Sequence, residues 1–190
     1  MMEQLTFSSF DKTLRENFAN LSFDQCLFFG AWNAEYLYNK YANHLLTLED
    51  EEGYEIVTEA LTYLWDAVDK TANVEEEEVD AQILRLHDID IDQLNLEEEK
   101  GTGVMKLMEC LESSLVYIEE KNFEFIAACA YFPIDVADVV MTNELGLDTN
   151  DPNKHIQHPL LQAEFEAEFK MMAYLKAHDV LSSRDRHLFR

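Results

Sequence analysis

The stretch 104–118, VMKLMECLESSLVYI, decides the fold class, because Val104, Leu107, Met108, Leu111, Leu115 and Ile118 recur at intervals of three and four. Those intervals put all six side chains on one stripe of a helix, where residues three or four apart lie over one another. The same period recurs toward the N-terminus. Val79, Ile83 and Leu86 predict a helix over about 76–86 with its glutamates outward, and Ile56, Ala60, Leu61, Leu64 and Val68, with Trp65 beside them, predict one after the acidic turn Glu49 to Gly53. Ahead of these, Ser22 and Gln25 stand in capping-box spacing and open a stripe of Leu27, Ala31, Ala34, Tyr38, Tyr41 and Leu45. Phe29, Trp32 and Tyr36 add a second facet, so that helix is apolar around most of its girth; a central position is expected, or else an aromatic face shown to a partner. Phe7, Phe10, Leu14 and Phe18 predict a short first helix, with Ser8 as its cap and Asp11 as a first-turn acid.

Toward the C-terminus, Asn122 is placed to cap a helix whose stripe is Ile126, Cys129, Pro133, Val136 and Val140, bent where Pro133 removes a backbone donor. A polar connection follows from Leu147 to His158, and Pro159 opens a last helix with Leu161, Phe165, Phe169 and Met172 on its core side. The stretch 88–103 has no helical period and is predicted to be an acidic surface loop; residues 182–190 read as a basic tail carrying Arg184, Arg186 and Arg190. With five glycines, three prolines and almost no strand-like alternation, the expectation is all-α: a single domain over residues 1–190, folded as an antiparallel helical bundle of about seven helices.

Lys and Arg number 14 against 39 Asp and Glu, a formal net charge of −25. Such a field repels nucleic-acid backbones and anionic lipid, so neither is an expected direct partner. It fits a solvated surface, a saline habitat, or a docking face for a basic protein. Between Glu75 and Glu99 eleven acids face one base, Arg85, whereas from Lys170 to Arg190 five bases face two acids. The tail is therefore either frayed or drawn to an acidic surface of this chain or a neighbour's. Cys26, Cys110 and Cys129 are widely spaced in apolar surroundings and read as small core residues of a reducing compartment. With no basic leader and no uninterrupted apolar span of about 18 residues, a cytoplasmic location is expected.

The aromatic-rich helix around Cys26 with Tyr36 and Tyr41 after it, Leu64-Trp65, and the run HPLLQAEFEAEF from His158 to Phe169 together resemble the YjaG-like family of uncharacterised all-helical bacterial proteins. The likeness runs over roughly residues 20 to 180 and rests on core-forming positions. It implies a compact helical fold and a bacterial source, and supplies no activity. This chain departs from the family's pattern at Phe29-Gly30, where a Glu-Arg pair is expected soon after the helical cysteine.

Motifs for chemistry are sparse. No histidine has a glutamate three residues before it, the spacing that di-metal helical bundles use, and Gly101-Thr102-Gly103 lacks the third glycine of a dinucleotide turn. His155 and His158, near Asp148 and Asp151 and followed by Glu164, are the candidate metal ligands, weighed against exposed loop histidines. Asp88, Asp90, Asp92 and Glu99 fall on steps of a calcium-loop frame, but Gln93 stands where that loop requires glycine. The leading expectation is a non-catalytic protein-interaction or regulatory module without a cofactor. It would meet a basic partner through Glu75, Glu76, Glu77 and Glu78 or through the facet Phe29, Trp32 and Tyr36, which would also suit a homodimer. The alternatives are a metal-binding protein or metal-assisted enzyme at His155 and His158, and an acidic decoy that imitates nucleic acid.

Overall fold

Helices begin where the caps stand. In the computed structural model, which describes residues 6–71, 74–147 and 155–190, the capping box predicted for the second helix is formed. The Ser22 N–H donates to Gln25 Oε1 at 2.8 Å and the Gln25 N–H to Ser22 Oγ at 3.3 Å, satisfying two donors that a helix start leaves unpaired. The helix so opened, α2 (Phe23–Tyr41), is preceded by α1 (Phe7–Phe18) and followed by the short α3 (Asn43–Thr47) and by α4 (Glu51–Asp69). Then come α5 (Glu76–Leu86), α6 (Glu99–Glu120), α7 (Phe123–Cys129), α8 (Phe132–Val139) and α9 (Pro159–Ala177). Single 3-10 turns lie at Ile91–Gln93 and Ser183–Asp185, and a wide π turn, Val140–Glu144, extends α8. The protein is an all-α helical bundle, and the described residues contain no strand.

Helix α2 is the hub, and its contacts fix the directions of its neighbours. Phe23 stacks on Tyr117 with ring centres 5.1 Å apart, Gly30 faces Ser114, and Tyr41 faces Gly103, so α6 runs antiparallel to α2. Both glycines sit where the backbones approach: a Cβ on Gly30 would stand 2.5 Å from Ser114 Oγ, and one on Gly103 2.3 Å from Tyr41 Cγ. The pairs Phe28 with Trp65 and Tyr38 with Thr58 make α4 antiparallel as well. Contacts from Gln25 to Leu175, Asn33 to Glu168 and Tyr36 to Glu164 do the same for α9. Surrounded on three sides, α2 buries Phe28, Phe29, Trp32 and Leu37, as an apolar girth requires.

Several local expectations are corrected. Thr6, not Ser8, caps α1, because Thr6, two residues earlier, forms a reciprocal box with Ser9. The loop expected over 88–103 is shorter: α6 starts at Glu99 and takes in Gly101-Thr102-Gly103. Those small residues are what the packing needs, since Gly101 lies against the Asn95 backbone, Gly103 against the Tyr41 ring, and the Thr102 hydroxyl donates to the Leu96 carbonyl at 2.8 Å. Pro133 opens a new helix instead of bending one. The chain turns at Ala130 and Tyr131, and the proline occupies the first turn of α8, where its missing N–H costs nothing. The stretch 123–144 is long and apolar enough to cross a membrane as one helix, but here it is divided between α7 and α8 and packs against α6.

Candidate functional site

The buried core of an all-helical bundle should be apolar, so its charged exceptions mark the site. On α2, Asn33 lies four residues from both Phe29 and Leu37 and is 0% exposed; on α9, Glu168 lies three residues after Phe165 and four before Met172 and is also 0% exposed. These two polar side chains face each other across the α2–α9 seam, with Asn33 Nδ2 3.4 Å from Glu168 Oε2. Glu164, one turn earlier on α9, accepts from the Tyr36 hydroxyl at 2.6 Å. That hydroxyl itself accepts from Lys40 Nζ at 2.9 Å.

Into this seam the tail inserts Arg190, whose side chain is only 6% exposed. Its Cζ lies 4.2 Å from the centre of the Trp32 ring and 4.1 Å from that of Tyr36, within the range where an aromatic face attracts a cation. One terminal nitrogen donates to Asn33 Oδ1 at 2.8 Å; the other meets Glu164 Oε2 at 3.0 Å and Glu168 Oε1. The Arg190 Nε is buried with no acceptor. The tail is held outside the cage as well: the Trp32 indole N–H donates to the Leu188 carbonyl at 2.9 Å, and the Ser183 N–H to Asp69 at 2.8 Å. The Arg186 guanidinium stands 3.7 Å from Glu35. The basic tail thus meets carboxylates of α2, α4 and α9, not the acidic stretch 75–99.

Electrostatics follow from two carboxyl groups sharing one cation. Burial pushes Glu168 up to about 8, and Glu164 adds to the rise, while Arg190 and Asn33 pull it back. Of the two carboxyls, the deeper is thus driven to hold a proton near neutral pH. Burial, reinforced by Glu164, also raises the Tyr36 phenol. Beside the cage a pocket of about 180 Å³, lined by Lys40, Tyr41, Glu99, Leu160 and Glu164 among others, reaches Glu164 from the surface. This arrangement binds and orients a flat cation. The cysteines are buried, with burial pushing Cys26 up to about 11 and Cys110 well above its ordinary value, so these two thiols are poor nucleophiles.

The residues singled out in the sequence are redistributed. Trp32, Tyr36 and Glu164, taken there from separate hypotheses, come together in the cage, whereas Phe29 is fully buried in the core against Phe18 and Trp32. Burial of Phe29 and Trp32 removes the exposed aromatic facet, because α2 is covered by α4, α6 and α9. The metal set His155, His158 and Glu164 is not gathered. His155 Nδ1 pairs with Asp138 at 3.0 Å, His158 Nδ1 accepts from the Leu160 N–H to cap α9, and Glu164 turns to Tyr36 and Arg190. Asp148 and Asp151 lie outside the described residues. Among the described residues no group of three His, Cys, Asp or Glu side chains is placed to hold a metal ion. The calcium frame is likewise taken apart: Asp90 caps the 3-10 turn at Asp92, and Glu99 accepts from the Tyr41 hydroxyl at 2.9 Å.

Glu75, Glu76, Glu77 and Glu78 are exposed at the start of α5, where negative charge suits the helix dipole. Beside them the end of α6 brings Glu119 and Glu120 toward Glu76 and Asp80. Partial burial, then Asp80, Glu76 and Glu120, raise the Glu119 carboxyl above its ordinary value. One Glu119 oxygen is shielded from solvent with no hydrogen-bond partner. Asn33 and Glu168 were missed in the sequence, where the available signal was a polar residue set inside each apolar stripe; Arg190 was read there only as part of the basic tail. Comparison with family models, curated proteins and solved structures returned no match, so residue roles here rest on geometry.

Proposed function

We propose that the protein is a non-catalytic interaction module that docks a positively charged protein partner on the face made by α5 and the end of α6. The observation that supports this reading is the crowding of Glu76, Asp80, Glu119 and Glu120, none of them ion-paired among the described residues, with the Glu119 carboxyl raised by partial burial and then by these neighbours. Like charges held together cost free energy that a partner's lysines and arginines would recover, and complementary charge governs encounter rate and specificity.

The test compares two variants of equal charge. Glu76→Lys with Asp80→Lys alters the α5–α6 face; Glu51→Lys with Glu55→Lys alters two exposed positions at the start of α4. Binding of a fluorescent lysine- and arginine-rich peptide is followed by anisotropy at low and physiological salt. The face variant is expected to lose about tenfold or more in affinity and most of the salt dependence, and the α4 variant much less. Equal losses would show that net charge alone attracts the peptide and would sink the assignment.

A further inference from the structure

We propose that the cage around Arg190 is a binding site for the guanidinium of an arginine side chain, that Arg190 is its tethered occupant, and that an arginine of a partner protein binds there in its place. This site lies on α2 and α9 and is independent of the acidic face of α5 and α6.

The walls select a guanidinium. Two aromatic faces, Trp32 and Tyr36, lie within 4.2 Å of its central carbon. Acceptors on Asn33, Glu164 and Glu168 serve its two terminal nitrogens separately. A flat, weakly hydrated cation with forked donors uses both kinds of wall; an ammonium is compact, strongly hydrated and has no face to stack.

Receptor and occupant are also built differently. Trp32, Asn33 and Tyr36 stand on the central helix, and Glu164 and Glu168 on the α9 helix packed against it. The occupant comes from residues 178–190, whose regular structure is the single turn Ser183–Asp185 and whose Val180 is 88% exposed. Arg190 fits incompletely, because its Nε is buried without an acceptor. An arginine entering from a chain that offers its own acceptor to Nε would make a bond that Arg190 lacks. The cage favours exchange over emptying, since a vacated seam would leave the buried acceptors on Asn33 and Glu168 without the donors that Arg190 supplies.

The test uses full-length Arg190→Ala and two probes, acetyl-arginine-amide and acetyl-lysine-amide, followed by calorimetry and tryptophan fluorescence. The expected result is one-to-one binding of the arginine probe, about tenfold or more tighter than the lysine probe. It should weaken at least about tenfold when Glu164→Gln is added, since that carboxylate meets the guanidinium at 3.0 Å, and also in the wild-type chain, where the tether competes. A folded Arg190→Ala that ignores the arginine probe, or binds both probes alike, overturns the proposal. Should that variant not fold, the wild-type chain is titrated with the arginine probe while NMR follows the Trp32 indole N–H, which Leu188 accepts in the tethered state. A saturable shift supports exchange, and its absence overturns it.

Discussion

Glu168→Gln is the perturbation that interrogates the cage most directly, because it keeps the shape and removes only the titrating proton. Burial and the nearby Glu164 carry Glu168 from an ordinary 4.5 to about 8. A carboxyl whose folded value lies above its unfolded one binds a proton more tightly in the fold. Its contribution to stability is therefore fully present below the unfolded value and is lost as pH rises toward the folded one. The window is bounded by those two values. Within it the wild-type chain loses stability relative to Glu168→Gln at a limiting slope of about 1.4 kcal/mol per pH unit. Subtracting the two stability curves cancels the remaining carboxyls, which both proteins share. Urea unfolding followed by tryptophan fluorescence at about pH 5.5, 6.5 and 7.5, at constant ionic strength, measures the difference. It should shift in favour of the glutamine variant by at least about 1 kcal/mol across that range. A flat difference, or one moving toward the wild type, would show that Arg190 holds Glu168 ionised throughout and that burial is not the dominant influence.

Gly103→Ala sets a methyl group where the Tyr41 ring now lies; overpacking of about 1–3 kcal/mol should exceed the gain in helix propensity of about 1 kcal/mol. A lower thermal midpoint is expected, and an unchanged one would show that the ring moves aside freely. Arg186→Ala removes a 3.7 Å contact whose arginine side chain is 43% exposed, so the stability measured by urea unfolding should fall by less than about 1 kcal/mol; a larger loss would make Arg186 a second anchor of the tail. A thiol reagent at neutral pH should leave Cys26, Cys110 and Cys129 unmodified in the folded chain and label all three in denaturant. Rapid labelling of the native protein would contradict their burial.

The fold was legible because periodicity and caps are local. The stripes of α2, α4, α5 and α6, the Ser22–Gln25 box and the Pro159 start are set by residues within one or two turns, and their spacing carries the answer. What failed was decided by contacts between distant segments. Gly101 and Gly103 read as a loop in the sequence, yet they are helical because α6 must pass the Asn95 backbone and the Tyr41 ring closely. A charged or amide residue at a core position, as with Asn33 and Glu168, is visible in the pattern. Its partner is not, because Arg190 lies 157 residues from Asn33, and one guanidinium cannot be matched to one of 39 acids without coordinates. The aromatic facet failed for a related reason: apolarity around a helix reports burial without naming what covers it.

A chain with 14 bases against 39 acids would reduce surface repulsion most by spreading its cations over its acidic faces, yet it encloses Arg190 between two helices. Stability is a weak reason for that placement, since a buried ion pair is commonly matched or bettered by apolar residues of similar volume. Single and double variants of the pair should therefore differ. Arg190→Ala alone leaves Glu168 enclosed without its cation and should cost up to about 3–5 kcal/mol, less whatever Glu168 recovers by taking up a proton. Glu168→Met combined with Arg190→Met replaces the pair with apolar volume beside Trp32 and should come within about 1 kcal/mol of the wild type, or exceed it. If the double variant keeps its stability but no longer answers the arginine probe, the charges serve recognition. If it falls as far as the single variant, the cage is a structural clasp for the tail, and the charges are retained because no apolar pair fills that seam.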